Sequence, residues 1–198
     1  MSRTVEFFFD FGSSTTYLAW TQLPALAGRC GATIRWRPML LGGVFKATGN
    51  ASPINVPAKG RWMLRDIQRY ARLYDVPFVM NPNFPINTLP LMRGAASYQM
   101  DGDFDGYVAA MFRAIWVEAL NVGDEAVLRG VLERAGLHAA DFAERIQRPE
   151  VKQALIENTE EAVQRGVFGA PTFFVGDEMF FGQDRLPMVE EWLGEGRS

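Results

Sequence analysis

Cysteine and histidine are almost absent from this chain of 198 residues, which contains one of each. A single cysteine excludes an intrachain disulfide, a Cys-x-x-Cys redox pair and a cysteine metal cluster. A single histidine leaves little for a histidine metal site or a Ser-His-Asp triad. Cys30, in Gly28-Arg29-Cys30-Gly31, reads as a partly buried structural thiol, because nothing beside it would stabilise a thiolate. His138, in Leu137-His138-Ala139-Ala140-Asp141, reads as a surface or capping residue at a helix start. Positive charge is not in excess either: 20 Lys and Arg face 23 Asp and Glu, a net charge of −3. Without a basic stripe to neutralise phosphates, nucleic acid is excluded as an expected partner. No apolar run approaches the length of a membrane span, and Met1-Ser2-Arg3-Thr4-Val5-Glu6 leads into a short strand with no signal-type apolar region. The expectation is a cytoplasmic protein without a membrane partner.

What the chain has is apolar content. Hydrophobic residues make up 48% of it, enough for a substantial core in one large domain or one domain with an insertion. The β-branched and aromatic run over residues 4–10 predicts a strand, and the hydroxyl-rich Ser13-Ser14-Thr15-Thr16 after it predicts a helix start. Helical periodicity runs from Tyr17 through Leu26 and stops near Gly28 or Gly31; residues 33–37 predict a second strand. This β-α-β opening implies parallel pairing. Residues 41–59, with scattered glycine and proline, read as a long ordered loop containing short helical turns.

The middle of the chain is helical. Met63, Ile67, Tyr70 and Tyr74 mark one helix, whose arginines 61, 65, 69 and 72 read as a solvated face. Thr88-Leu89-Pro90 predicts another start, and Phe104 through Ala119 a strongly apolar helix. Further helices are expected over 124–135 and 149–165. Residues 172–175 and 178–181 then form a hairpin around Gly176-Asp177, with a last helix from about 184 to 193. The order β-α-β, helices, β-β-α predicts an α/β thioredoxin-like fold with an all-helical insertion. Its expected boundaries are 1–58 and 166–198 for the thioredoxin-like domain and 59–165 for the inserted domain.

Two local features carry chemistry. Val167-Phe168-Gly169-Ala170-Pro171-Thr172 is similar to the segment that holds a cis-proline in thioredoxin-like proteins. A cis bond there turns the backbone of the preceding residue toward a bound thiol peptide. Second, Ser13-Ser14-Thr15-Thr16 stands where the redox cysteines of that fold would lie. Without cysteine there is no direct disulfide exchange. A hydroxyl at a helix N-terminus can instead donate to a thiolate brought by another molecule, and the helix dipole favours the same anion.

The sequence resembles the kappa-class glutathione transferase and 2-hydroxychromene-2-carboxylate isomerase family of DsbA-like thioredoxin folds. The resemblance rests on Phe8-Phe9-Asp10-Phe11-Gly12-Ser13, Gly49-Asn50, Asn83-Phe84-Pro85-Ile86-Asn87-Thr88-Leu89, Phe168-Gly169-Ala170-Pro171-Thr172 and Phe181-Gly182-Gln183-Asp184-Arg185. It implies glutathione as cofactor, with Ser13 holding its sulfur, Asn50 in contact with it and Lys59 meeting a carboxylate. Ala170 would pair its backbone with the cysteinyl portion, and Gln183 with Asp184 would hold the γ-glutamyl end. It also implies a homodimer and a small aromatic carboxylate as substrate, with Lys46, Asn55 and Phe84 as substrate-binding positions. The sequence departs from the family at three points. Ser14 replaces a common proline, which makes both Ser14 and Thr15 candidates to share the thiolate contact. Lys46 is one residue out of step with the family's lysine, and Phe84 replaces a tyrosine.

The function so implied is glutathione-dependent isomerisation of 2-hydroxychromene-2-carboxylate or a related aromatic oxo-acid. The alternatives are a kappa-class transferase or peroxidase that consumes glutathione, and a non-catalytic thioredoxin-fold binding module. Retention of Asn50, Lys59, Gln183 and Asp184 beside Ser13 speaks against the module. No metal is implied.

Overall fold

The computed structural model describes residues 3–195. In β1 (Arg3–Phe9), side chains alternate between two faces. Val5, Phe7 and Phe9 enter one apolar cluster and Phe8 enters another. β2 (Ala32–Pro38) runs parallel to β1, with Arg3 opposite Ala32 and Phe9 opposite Pro38. β3 (Thr172–Val175) pairs antiparallel with β1 on its other side, and β4 (Glu178–Phe181) closes the hairpin, giving the order β2-β1-β3-β4. Phe7 stacks on Phe173 at 5.2 Å between ring centroids. Each fully buried phenylalanine of this sheet is worth roughly 1.5–3 kcal/mol relative to exposure.

The first face is covered by α1 (Ser14–Cys30), which supplies Leu18 and Leu23, by α9 (Leu186–Gly194) with Val189, and by α5 (Phe104–Trp116) with Phe112. The opposite face carries Phe8 and Phe174, packed with Val44 of α2 (Leu41–Thr48) and Ala162 of α8 (Pro149–Gln164). The inserted stretch also contains α3 (Pro57–Leu73), α4 (Leu89–Asp101), α6 (Glu125–Arg134) and α7 (Ala139–Arg145). Its Met92, Phe112 and Trp116 belong to the same cluster as Phe7 and Phe9. His138 is exposed at the N-cap position of α7, and Cys30 is half-buried with its thiol toward the Glu190 carbonyl.

Three boundaries differ from the sequence reading. The stretch 41–59, read as a long ordered loop with short helical turns, is more helical than that: it holds α2, a 3-10 turn at Pro53–Asn55 and the first residues of α3. Leu40 at the N-cap position of α2 has no capping side chain. The free amides are met from elsewhere, Leu40 N–H by Thr159 Oγ1 at 3.0 Å and Leu41 N–H by Asp10 Oδ2 at 2.8 Å. Second, α5 stops at Trp116 rather than Ala119, which adopts a φ of 52°. The Asn81 amide holds that end by donating to the Ile115 and Leu120 carbonyls at 3.0 and 2.9 Å. Third, the last helix is preceded by a separate 3-10 turn at Gln183–Arg185.

Candidate active site

β1 ends in the aromatic run Phe7-Phe8-Phe9, and the chain turns through Asp10-Phe11-Gly12 into α1 with Ser13 as its N-cap. Ser13 Oγ accepts from Thr16 N–H at 3.2 Å and donates to the Ala170 carbonyl at 3.0 Å. The Thr15 hydroxyl lies 3.0 Å from Ser13 Oγ and 3.3 Å from the same carbonyl. The two hydroxyls and one carbonyl therefore converge at the N-terminus of a long helix. Ala170-Pro171 is cis, as the segment predicts, and a second cis bond at Phe84-Pro85 was not anticipated. A hydroxyl hydrogen rotates about its C–O bond, so either oxygen can turn a donor toward an anion in front of α1. The helix dipole favours the same charge.

These groups form one wall of a cavity of about 900 Å³. Ser13, Ser14, Thr15, Asn50, Asn55 and Lys59 line it, and so do Phe84, Ala170, Gln183 and Asp184. Lys46 is not among the lining residues: it is exposed in the last turn of α2. Lys59 stands in the first turn of α3, exposed and reachable. Asn50 follows the C-terminus of α2, and its Nδ2 donates to the Phe168 carbonyl at 2.7 Å while Oδ1 accepts from Ala51 N–H. That amide ties the α2 end to the strand of chain bearing Ala170. Gln183 is buried, Asp184 is exposed, and the turn they share is fixed by Gly182 N–H donating to the Pro171 carbonyl at 3.0 Å. Gly182 has a φ of 105°, and a Cβ there would lie 2.4 Å from Asp184 Oδ1, so the turn requires glycine.

α3 is joined to this turn by Tyr74, whose hydroxyl donates to the Gln183 carbonyl at 3.0 Å. Burial, with Tyr70 and Asp184 nearby, pushes the Tyr74 phenol up to about 12.

Several residues of the site were not singled out from sequence. Trp62, Met63 and Asp66 of α3 and Phe181 of β4 also line the cavity. Asp10 is the most deeply set of them, 1% exposed yet on the cavity wall. Its Oδ1 accepts from Gly12 N–H at 2.8 Å and its Oδ2 from Leu41 N–H at 2.8 Å, and the Thr88 side chain stands nearby. Burial pushes its carboxyl above the usual carboxylate range, and Gly12, Leu41 and Thr88 beside it pull the other way. The available signal was a carboxylate directly after the aromatic run Phe7-Phe8-Phe9 and three residues before Ser13.

What this arrangement can do is hold a small anion before α1 and an apolar group beside it. Disulfide exchange has no cysteine at the site, since Cys30 lies at the far end of α1.

The chain is similar to known proteins over nearly its whole length. Residues 4–194 match the family model described as DSBA-like thioredoxin domain. The chain is 36% identical over 196 residues to a 2-hydroxychromene-2-carboxylate isomerase of Sphingobium xenophagum, covering 98% of this chain and 99% of that protein. It is 26% identical over 208 residues to glutathione S-transferase kappa 1 of Rattus norvegicus, covering 98% and 92%. A solved structure of 2-hydroxychromene-2-carboxylate isomerase superposes with a TM-score of 0.85 at 34% identity, covering 97% of this chain and 95% of that one. With matching sequence, fold and coverage, the chain belongs to the DsbA-like thioredoxin family and, within it, to the group of the 2-hydroxychromene-2-carboxylate isomerases and kappa-class glutathione transferases.

Proposed function

We propose that this protein catalyses the glutathione-dependent isomerisation of 2-hydroxychromene-2-carboxylate or a related aromatic oxo-acid in aromatic hydrocarbon catabolism, as a cytoplasmic homodimer. One observation carries the reading: the Ser13 and Thr15 hydroxyls converge on the Ala170 carbonyl at a cavity of about 900 Å³. When bound, glutathione supplies a thiolate that adds to the β-carbon of the ring-opened, enone-like substrate and leaves after rotation about the new single bond.

The chain's own residues hold and orient. Ser13 donates to the sulfur, Thr15 stands as its partner hydroxyl, and the α1 dipole stabilises the anion. The Ala170 backbone meets the cysteinyl portion, and Asn50 shapes the wall beside it. Asp184 with Gln183 receives the γ-glutamyl ammonium, a charge-assisted contact suited to a carboxylate. Asn55 and Phe84 face the aromatic substrate, Phe84 as an apolar wall without a hydroxyl. Since Lys46 lies off the cavity, Lys59 is the lysine available there to carboxylates and to negative charge developing in the reaction.

The test is conversion of 2-hydroxychromene-2-carboxylate, read as formation of trans-benzylidenepyruvate with total free glutathione followed alongside. Product forming only with glutathione, at constant total glutathione, is the expected result, and Ser13→Ala lowers turnover by about a hundredfold. Depletion of glutathione in step with product assigns the transferase or peroxidase reaction instead. Turnover independent of glutathione contradicts the reading.

A further inference from the structure

Asp10 touches three segments of the cavity wall that are remote from one another in sequence. Its carboxylate accepts from Gly12 in the turn carrying Ser13 and from Leu41 at the start of α2, and the Thr88 side chain just before α4 stands beside it. The Asp10 carbonyl also accepts from Ser13 N–H at 3.2 Å. Packing around this junction is close: a Cβ on Gly12 would lie 3.2 Å from Thr88 Cγ2 and 3.3 Å from Asp10 Oδ1. A carboxylate that is 1% exposed is costly to leave without its donors, because its charge has little access to water. The fold uses this cost to fix geometry. α2 has no local cap and takes its acceptors from Thr159 and Asp10, and the Gly12 amide of the α1 turn is met by the same Asp10 carboxylate, so this one side chain joins the two segments.

We propose that Asp10 is the positioning residue of this site: through the Gly12 turn it fixes the Ser13 hydroxyl against a bound thiol, and through Leu41 and Thr88 it fixes the facing wall. Asp10 itself makes no contact with the thiol. The inference rests on the thiol-binding role assigned above to Ser13. It predicts that the effect of losing Asp10 on thiol binding passes through the Ser13 hydroxyl. Asp10→Asn keeps the shape but presents an amide N–H₂ to donors that need an acceptor.

The experiment is a double-mutant cycle on glutathione affinity, measured by calorimetry with wild type, Asp10→Asn, Ser13→Ala and the double variant. Thiolate absorbance of each complex is recorded as well. Expected are a rise in Kd of about fivefold for Asp10→Asn alone and less than about twofold when Ser13 is already alanine, since residues acting through one contact are not additive. The thiolate signal falls in both single variants. An equal rise of Kd in both backgrounds overturns the role of Asp10 and leaves that of Ser13 standing. If Ser13→Ala changes neither affinity nor thiolate signal, both assignments fall. Should Asp10→Asn not fold, Thr88→Val removes the hydroxyl beside the carboxylate and keeps the carboxylate itself. Its expected effect is smaller, about twofold, and equally dependent on Ser13; independence from Ser13 overturns the proposal.

Discussion

At the scale of single residues, the site is built by small and polar groups whose value lies in where the backbone puts them. Ser13 is an ordinary N-cap by its bond to Thr16, and the same oxygen reaches the Ala170 carbonyl across the sheet. That double use was legible, because a hydroxyl run after a strand and a Gly-Ala-Pro segment before another are both local signals. Thr15 rather than Ser14 completes the triangle of oxygens, which sequence left open between them. Asp10 was not legible as a site residue. Its partners Leu41 and Thr88 are separated from it along the chain, and nothing in the neighbouring residues announces them. Gly12 tests this scale. A methyl group there presses on Thr88 and Asp10 at 3.2 and 3.3 Å, with both neighbours buried. Gly12→Ala is expected to fold, to lose about 1–3 kcal/mol of stability through overpacking, and to bind glutathione more weakly. Denaturant unfolding and calorimetry read the two effects separately.

At the scale of elements, the legible helices are those that carry their own boundary signals. α6 is N-capped by Asp124, whose carboxylate accepts from Ala126 and Val127 N–H, and α1 ends at left-handed Gly31, one of the two glycines its sequence offers. α2 escaped notice for the opposite reason. Its first turn contains Gly42-Gly43, its N-cap position is Leu40, and its capping acceptors come from Asp10 and Thr159. Tertiary contacts overrode weak local propensity. The end of α5 was displaced likewise by Asn81, a residue far upstream. The α4–α5 contact offers a sharp test. A Cβ on Gly94 would lie 2.2 Å from the Tyr107 hydroxyl and 2.7 Å from Phe142 Cε2, both on buried side chains. Alanine is the better helix former by about 0.8–1.0 kcal/mol, which propensity alone would turn into a gain. Overpacking of about 1–3 kcal/mol outweighs it, so Gly94→Ala is expected to lower Tm. Thermal unfolding decides the sign; a raised Tm would contradict the packing described.

At the scale of the whole molecule, both faces of one sheet are covered, and the inserted helices share the sheet's core rather than standing apart from it. The order of elements made that architecture legible, whereas the merging of the two cores depends on side chains such as Phe112 and Trp116 meeting Phe11. Global pH behaviour follows from the tyrosines. The chain has five, and each is pushed above its ordinary value of 10, chiefly by burial. Tyr74 reaches about 12. A tyrosine raised on folding binds its proton more tightly in the native state, so stability is lost as pH rises above 10 toward the folded values. Phenolate absorbance of the native protein is therefore expected to lag that of the denatured chain through this range. Coincident titrations would contradict the burial described.

The central claim is that the Ser13 end of α1 holds a borrowed thiol as its thiolate. Titrating the thiolate absorbance of bound glutathione with pH tests it most directly. A free thiol ionises near about 8.5, and a hydroxyl with a helix N-terminus stabilises the anion. The wild-type complex is expected to titrate at least about one unit lower, and the Ser13→Ala complex to move back toward the free value. A wild-type complex that titrates with free glutathione would contradict the account.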